Sequence, residues 1–154
     1  MRTAEQILEE KGGEMIWVAA DSTIEQALKI MVEKKIGAIL VKEGEEIIGI
    51  WTERDLLSDV LTEGFNPKTA KMRDFMTKGL QSAPHTATIY QLMDKFLGMR
   101  LRHLLIVKEG KYIGVISSGD VTKASLTAKT VELEKLNAMV SWEYYENWRW
   151  KSKD

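Results

Sequence analysis

Apolar residues along the chain alternate between a helical spacing and short continuous runs. After Asp21-Ser22-Thr23, which supply N-cap candidates, Ile24, Ala27, Leu28 and Met31 recur on one helical face. Ile89, Leu92, Met93 and Phe96 repeat that spacing further on. Each predicted helix is followed by two apolar runs too short for helices and rich in β-branched residues. In the first half these are Ala38 to Val41 and Ile47 to Trp51, around Lys42-Glu43-Gly44-Glu45-Glu46. In the second they are Leu104 to Val107 and Tyr112 to Ile116, around Lys108-Glu109-Gly110-Lys111. Short apolar runs joined across a glycine turn predict paired strands. A helix is expected after each pair, over Asp55 to Leu61 and over Asp120 to Leu126.

The two halves are copies. A gapless shift of 65 positions lays Asp55 on Asp120, Thr23 on Thr88, Ile24 on Ile89 and Gln26 on Gln91. It also pairs Leu40 with Leu105, Ile48 with Ile113, Gly49 with Gly114 and Leu61 with Leu126. Eight identities in 39 pairs exceed the roughly two or three that unrelated sequence gives. The expected organisation is a βαββα-type repeat over 3–62, a linker over 63–71, a second repeat over 72–126, and an extension over 127–154. A unit of this size buries little core alone, so the repeats are expected to pack together.

Composition changes the picture mainly by exclusion. The chain of 154 residues is 44% hydrophobic and 29% charged, with a net charge of −1. That balance argues against duplex nucleic acid as a partner, since duplex binding needs a basic face. Cysteine is absent, which removes disulfides and thiolate metal sites and fits a reducing compartment. No apolar run reaches the roughly 18 residues of a transmembrane span, and the charged first turns lack a signal-peptide core. A soluble cytoplasmic protein is the expectation. The two histidines, His85 and His103, have no carboxylate at ligand spacing, so no metal is expected. Neither a Walker nor a Rossmann glycine pattern occurs, and no paired carboxylates mark a cleft, so the chain does not read as an enzyme.

Candidate chemistry lies where each second strand meets its helix, in Gly49-Ile50-Trp51-Thr52-Glu53-Arg54-Asp55 and Gly114-Val115-Ile116-Ser117-Ser118-Gly119-Asp120. Thr/Ser-x-x-Asp at a helix start forms a capping box, in which hydroxyl and carboxylate each accept a first-turn amide. The same hydroxyl and first-turn amides suit a phosphate, and the carboxylate suits the two hydroxyls of a ribose. A ligand would compete with the cap for these groups. Trp51 reads as a core or lid residue rather than a stacking platform.

The repeat, the two Gly-h-x-Thr/Ser-x-x-Asp endings and the run Leu101-Arg102-His103-Leu104-Leu105-Ile106-Val107 together resemble a tandem pair of CBS domains, a Bateman module, over residues 3 to 126. The resemblance implies an α/β (α+β) fold in which two tandem repeats form one pseudo-two-fold module, followed here by a C-terminal helix. It also implies two clefts that take adenosyl ligands: AMP first, then ADP, ATP, NAD(H) or S-adenosylmethionine. Carried onto this chain, Thr52 and Asp55 serve one cleft, and Ser117, Ser118 and Asp120 the other. Arg102 and His103 meet phosphate, while Ile36, Gly37 and Ala38 line an adenine pocket with Val18 and Ala19. The alternative for Arg102 is a solvated surface charge. The copies differ, since Gly37 stands opposite Arg102 and Gly119 opposite Arg54. The expected function is a regulatory sensor, homodimeric as such pairs commonly are; the alternative is a structural protein-interaction module whose acids serve only as caps.

In the extension, Val131, Leu133, Leu136, Met139 and Val140 keep helical spacing, and Trp142, Tyr144, Tyr145, Trp148 and Trp150 follow. This aromatic-rich helical segment is expected to pack internally, to dimerise or to capture an effector protein. Membrane-surface and single-strand nucleic-acid contacts are the weaker alternatives.

Overall fold

The computed structural model describes residues 1–132. The order is α1 (Ala4–Lys11), β1 (Trp17–Ala19), α2 (Ile24–Lys34), β2 (Ala38–Glu43), β3 (Glu46–Thr52), α3 (Glu53–Asp59) and α4 (Met72–Phe75). Then come β4 (Ser82–Pro84), α5 (Ile89–Met99), β5 (His103–Lys108), β6 (Lys111–Ser117) and α6 (Ser118–Glu132). This is a mixed α+β chain with two three-stranded sheets, β1-β2-β3 and β4-β5-β6. In each, the first pair is parallel and the second an antiparallel hairpin. The shift of 65 positions carries every paired residue of the first sheet onto its counterpart in the second. It even maps the irregularity at Val41/Lys42 onto that at Ile106/Val107.

The helices begin where the polar triplets predict. Thr23 and Thr88 each close a capping box with the glutamine three residues on, Gln26 and Gln91. Behind each sheet lies a separate core. Ile24, Ala27, Met31, Ile39, Val41 and Trp51 belong to the first; Ile89, Leu92, Phe96, Leu104, Ile106 and Ile116 to the second. Strand alternation turns Leu40 and Leu105 to the opposite face, and both are buried there too. That face is where the repeats meet.

One feature of packing departs from the sequence order. Helix α1 opens the first repeat in sequence, yet Ala4 and Ile7 are buried in the second core. Met72 of α4 is buried in the first core, with Phe75 and Met76 packed against it. The backbone makes the exchange symmetric. Ala4 N–H donates to Ala87 O and Met72 N–H to Ser22 O, and Ser22 and Ala87 are repeat equivalents. Arg73 secures α4 further through ion pairs to Asp21 and Glu43. The linker is also tied down, with Phe65 edge-on to Phe75 at 5.2 Å.

The exchange explains the motif glycines. A Cβ on Gly114 would sit 2.7 Å from Leu8 Cδ2, and one on Gly49 would sit 2.4 Å from Met76 Sδ and 3.0 Å from its Cβ. Leu8 can withdraw its tip, but Met76 is crowded back to its Cβ. Gly49→Ala is therefore expected to cost about 1–3 kcal/mol by overpacking, and Gly114→Ala less. Urea denaturation of the two variants measures the difference.

Candidate functional site

Strand β3 delivers Thr52, and β6 delivers Ser117, to the first residue before a helix. Both capping boxes are closed. Thr52 N–H donates to Asp55 Oδ2 at 2.9 Å and Asp55 N–H to Thr52 Oγ1 at 3.3 Å. The second copy matches, with Ser117 N–H to Asp120 Oδ2 at 2.8 Å and Asp120 N–H to Ser117 Oγ at 3.0 Å. First-turn amides are less available than the sequence suggests. Glu53 N–H already donates to Gly37 O, and Ser118 N–H to Arg102 O. Arg54 and Gly119 carry the first-turn amides not engaged in these contacts.

Those last two bonds hold each pre-strand loop beside its own helix start, so loop and cap move as a unit. Two clefts open between the repeats, of about 660 and 680 Å3. Both fall in the range of about 300–1,000 Å3 typical of small-molecule sites. Each joins the acid of one repeat to the pre-strand loop of the other. The Asp55 cleft holds Thr52, Asp55 and Arg54 with Arg100, Arg102 and His103. The Asp120 cleft holds Ser117 and Asp120 with Ile36, Gly37 and Ala38.

The structure divides between the two clefts the residues expected to meet phosphate and those expected to line an adenine pocket. Arg102 lines only the Asp55 cleft, Ile36 and Ala38 only the Asp120 cleft, and Gly37 and His103 line both. Ser118, grouped with Asp120 from sequence, lines the Asp55 cleft instead. Val18 and Ala19 line neither cleft. Val18 points into the first core and Ala19 is exposed, as alternation along a three-residue strand requires. Met15 and Ile16, just before β1, stand at the Asp120 cleft in their place.

Sequence reasoning also missed one whole wall. Helix α1 contributes Glu5, Glu9 and Lys11 to the Asp120 cleft. Lys11 Nζ donates to Asp120 Oδ2 at 3.0 Å and to Val115 O at 3.2 Å. A half-exposed pair of this kind contributes only about 0–1 kcal/mol, so Lys11 is a movable neighbour rather than a lock. Glu5 bonds Lys108, and that contact holds the Glu5 carboxyl below its ordinary value while raising the Lys108 ammonium. Near the Asp55 cleft, Trp51 is fully buried and its Nε1–H donates to Asp59 Oδ2 at 2.7 Å. Burial pushes the Asp59 carboxyl up, the Trp51 bond pulls it down, and the Asp55 charge adds to the rise. Trp51 is a core residue. Among the described residues no group of three His, Asp or Glu side chains is placed to hold a metal ion. No helix among them is long and apolar enough to cross a membrane.

Comparison with known proteins places this geometry. The CBS-domain profile matches residues 12–62 and 72–127. CBS domain-containing protein CBSX3, mitochondrial, of Arabidopsis thaliana is 33% identical over 152 residues, covering 92% of this chain and 73% of that protein. The crystal structure of a CBS-domain-containing protein from Agrobacterium tumefaciens superposes with a TM-score of 0.75 at 34% identity, covering 80% of this chain and 99% of that one. CBSX2, solved in complex with AMP, shares the fold with a TM-score of 0.67 at 21% identity, over 82% of this chain and 98% of its own.

Proposed function

The chain belongs to the CBS-domain family, and from that premise we propose that it is a regulatory sensor, not an enzyme, that binds an adenosyl ligand between its two repeats. The observation that carries the reading is the company of Asp55: a helix-start hydroxyl, a carboxylate and three arginines around one cleft. In this reading Asp55 takes the ribose hydroxyls, while Thr52, Arg102 and the Arg54 amide take phosphate. Ser117, Ser118 and His103 border the same space. The Asp120 cleft, with Ile36, Gly37 and Ala38 as its apolar side, is the second site. AMP is the first ligand to test, with ADP, ATP, NAD(H) and S-adenosylmethionine after it. CBSX2 in complex with AMP supports an adenine nucleotide on this fold.

Binding bridges the repeats and shifts the population that a partner reads. The proposal includes a homodimer. Val32 and Leu97, repeat equivalents on α2 and α5, are 69% and 77% exposed, and Leu57 on α3 and Leu61 just after it are exposed as well. A second copy would cover this apolar surface. The aromatic-rich segment expected to pack internally, to dimerise or to capture an effector lies outside the described residues, beyond Glu132. A cytoplasmic location is likewise part of the proposal, beside a relative that is mitochondrial by name.

A second reading has one observation in its favour. Both capping boxes are complete without a ligand, as a purely structural interaction module requires. Isothermal titration with adenosine, AMP, ATP, NAD and S-adenosylmethionine separates the two. Saturable binding of at least one supports the sensor, and heat from none of them leaves the structural module.

A further inference from the structure

The geometry points to Arg100 as the residue that lets the Asp55 cleft count phosphates, so that affinity climbs with each phosphate an adenosyl ligand carries. The inference rests on the adenosyl reading of that cleft and goes beyond it to the class of ligand.

Arg100 ends α5 in the left-handed region, at φ 53 and ψ 36, with its N–H donating to Phe96 O. Glycine adopts that conformation most easily, because a Cβ crowds the following backbone. Lys35, its repeat equivalent, ends α2 in the same way at φ 55 and ψ 47. The chain therefore holds a long cation twice where glycine fits better, and each of the two lines a cleft. A cation near a helix C-terminus also complements the helix dipole, which accounts for a basic residue at both ends equally.

Their surroundings set the two apart. Lys35 shares its cleft with Lys11 and Lys108, against Glu5, Glu9, Glu14 and Asp120, so acids outnumber cations there. Arg100 shares its cleft with Arg54 and Arg102, against Glu53 and Asp55. A single phosphate is met by Arg102 and the helix start. A second and third need another cation, and the exposed guanidinium of Arg100 supplies a planar fork for them.

The test compares wild type, Arg100→Gly and Arg100→Lys by titration with adenosine, AMP, ADP and ATP in magnesium-free buffer, with melting temperatures taken without ligand. Wild type should bind more tightly from AMP to ATP. Arg100→Gly should weaken ATP about tenfold or more and AMP much less, flattening the series, because a charge-assisted contact is lost only to the outer phosphates. Its melting temperature should match or exceed that of wild type, since glycine accepts the left-handed turn. Arg100→Lys should recover part of the ATP affinity through charge alone. An unchanged ratio of ATP to AMP affinity, with binding intact, overturns this inference and spares the adenosyl reading. Equal weakening of every ligand with a lowered melting temperature overturns it too, as a structural role. Failure of wild type to bind any of the series removes both.

Discussion

Asp55→Ala is expected to weaken AMP binding by about 10- to 100-fold, while Asp120→Ala lowers thermal stability and affects that binding far less. The difference follows from where the two carboxylates lie, since Asp55 lines the cleft with the three arginines and Asp120 does not. Asp55 gives Oδ2 to the Thr52 amide, which leaves Oδ1 outside the cap, and the residue lines a cleft with three arginines. A hydrogen bond to a charged group contributes about 1.5–3 kcal/mol, which corresponds to roughly that range of affinity. Asp120 Oδ2 already receives the Ser117 amide and Lys11. Its loss undoes a cap, at about 1 kcal/mol, and also removes the Lys11 ion pair that ties α1 to α6. Asp55→Asn is the control: it keeps an acceptor for the cap while losing the charge. Titration calorimetry and thermal melts on the three variants read both effects. Equal, purely thermal losses in the two alanine variants would leave the acids as caps alone.

Trp51→Ala should cost about 3–5 kcal/mol, a large share of the about 5–15 kcal/mol by which a domain is stable. The indole is fully buried in the first core, one residue before Thr52, so the cavity would open directly behind the ligand-facing helix start. Trp51→Phe keeps most of the volume and isolates the indole N–H. Without that donor the Asp59 carboxyl, already raised from 3.8 by burial, rises further. A raised folded value favours the folded protein below the unfolded value, and the advantage is lost as pH rises through the folded one. Trp51→Phe should therefore extend this loss of stability to higher pH. Urea melts from about pH 3.8 upward show it; an unaltered pH profile would mean the indole does not hold Asp59.

The architecture was legible because the duplication is gapless. Once Asp55 lies on Asp120, every strand partner of one sheet predicts its counterpart, and the structure only lengthens each run by a residue or two. The helix after β6 differs more. Expected to close at Leu126, it continues to Glu132, because no glycine or proline stops it. The exchange of α1 and α4 was hidden for a physical reason. Ile7 and Leu8 announce an apolar face, but a short amphipathic helix does not specify which of two similar cores it covers. Gly49 and Gly114 were read as part of a motif, although their lack of a side chain is what admits Met76 and Leu8. Within the site, the caps follow from local sequence and Arg102 from the family resemblance, whereas Lys11 needs the exchange and Arg100 needs a left-handed turn. Val18 failed as a cleft residue because β1 is too short for its alternation to be read.

The central claim is that an adenosyl phosphate binds in the Asp55 cleft. A titration of 15N-labelled protein with AMP tests it most directly, by the amides that shift. The largest saturable shifts should fall at Arg54, Arg102, His103 and Ser118, which converge on that cleft from both repeats. An unchanged spectrum at millimolar AMP, or shifts confined to residues outside the Asp55 cleft, would contradict it.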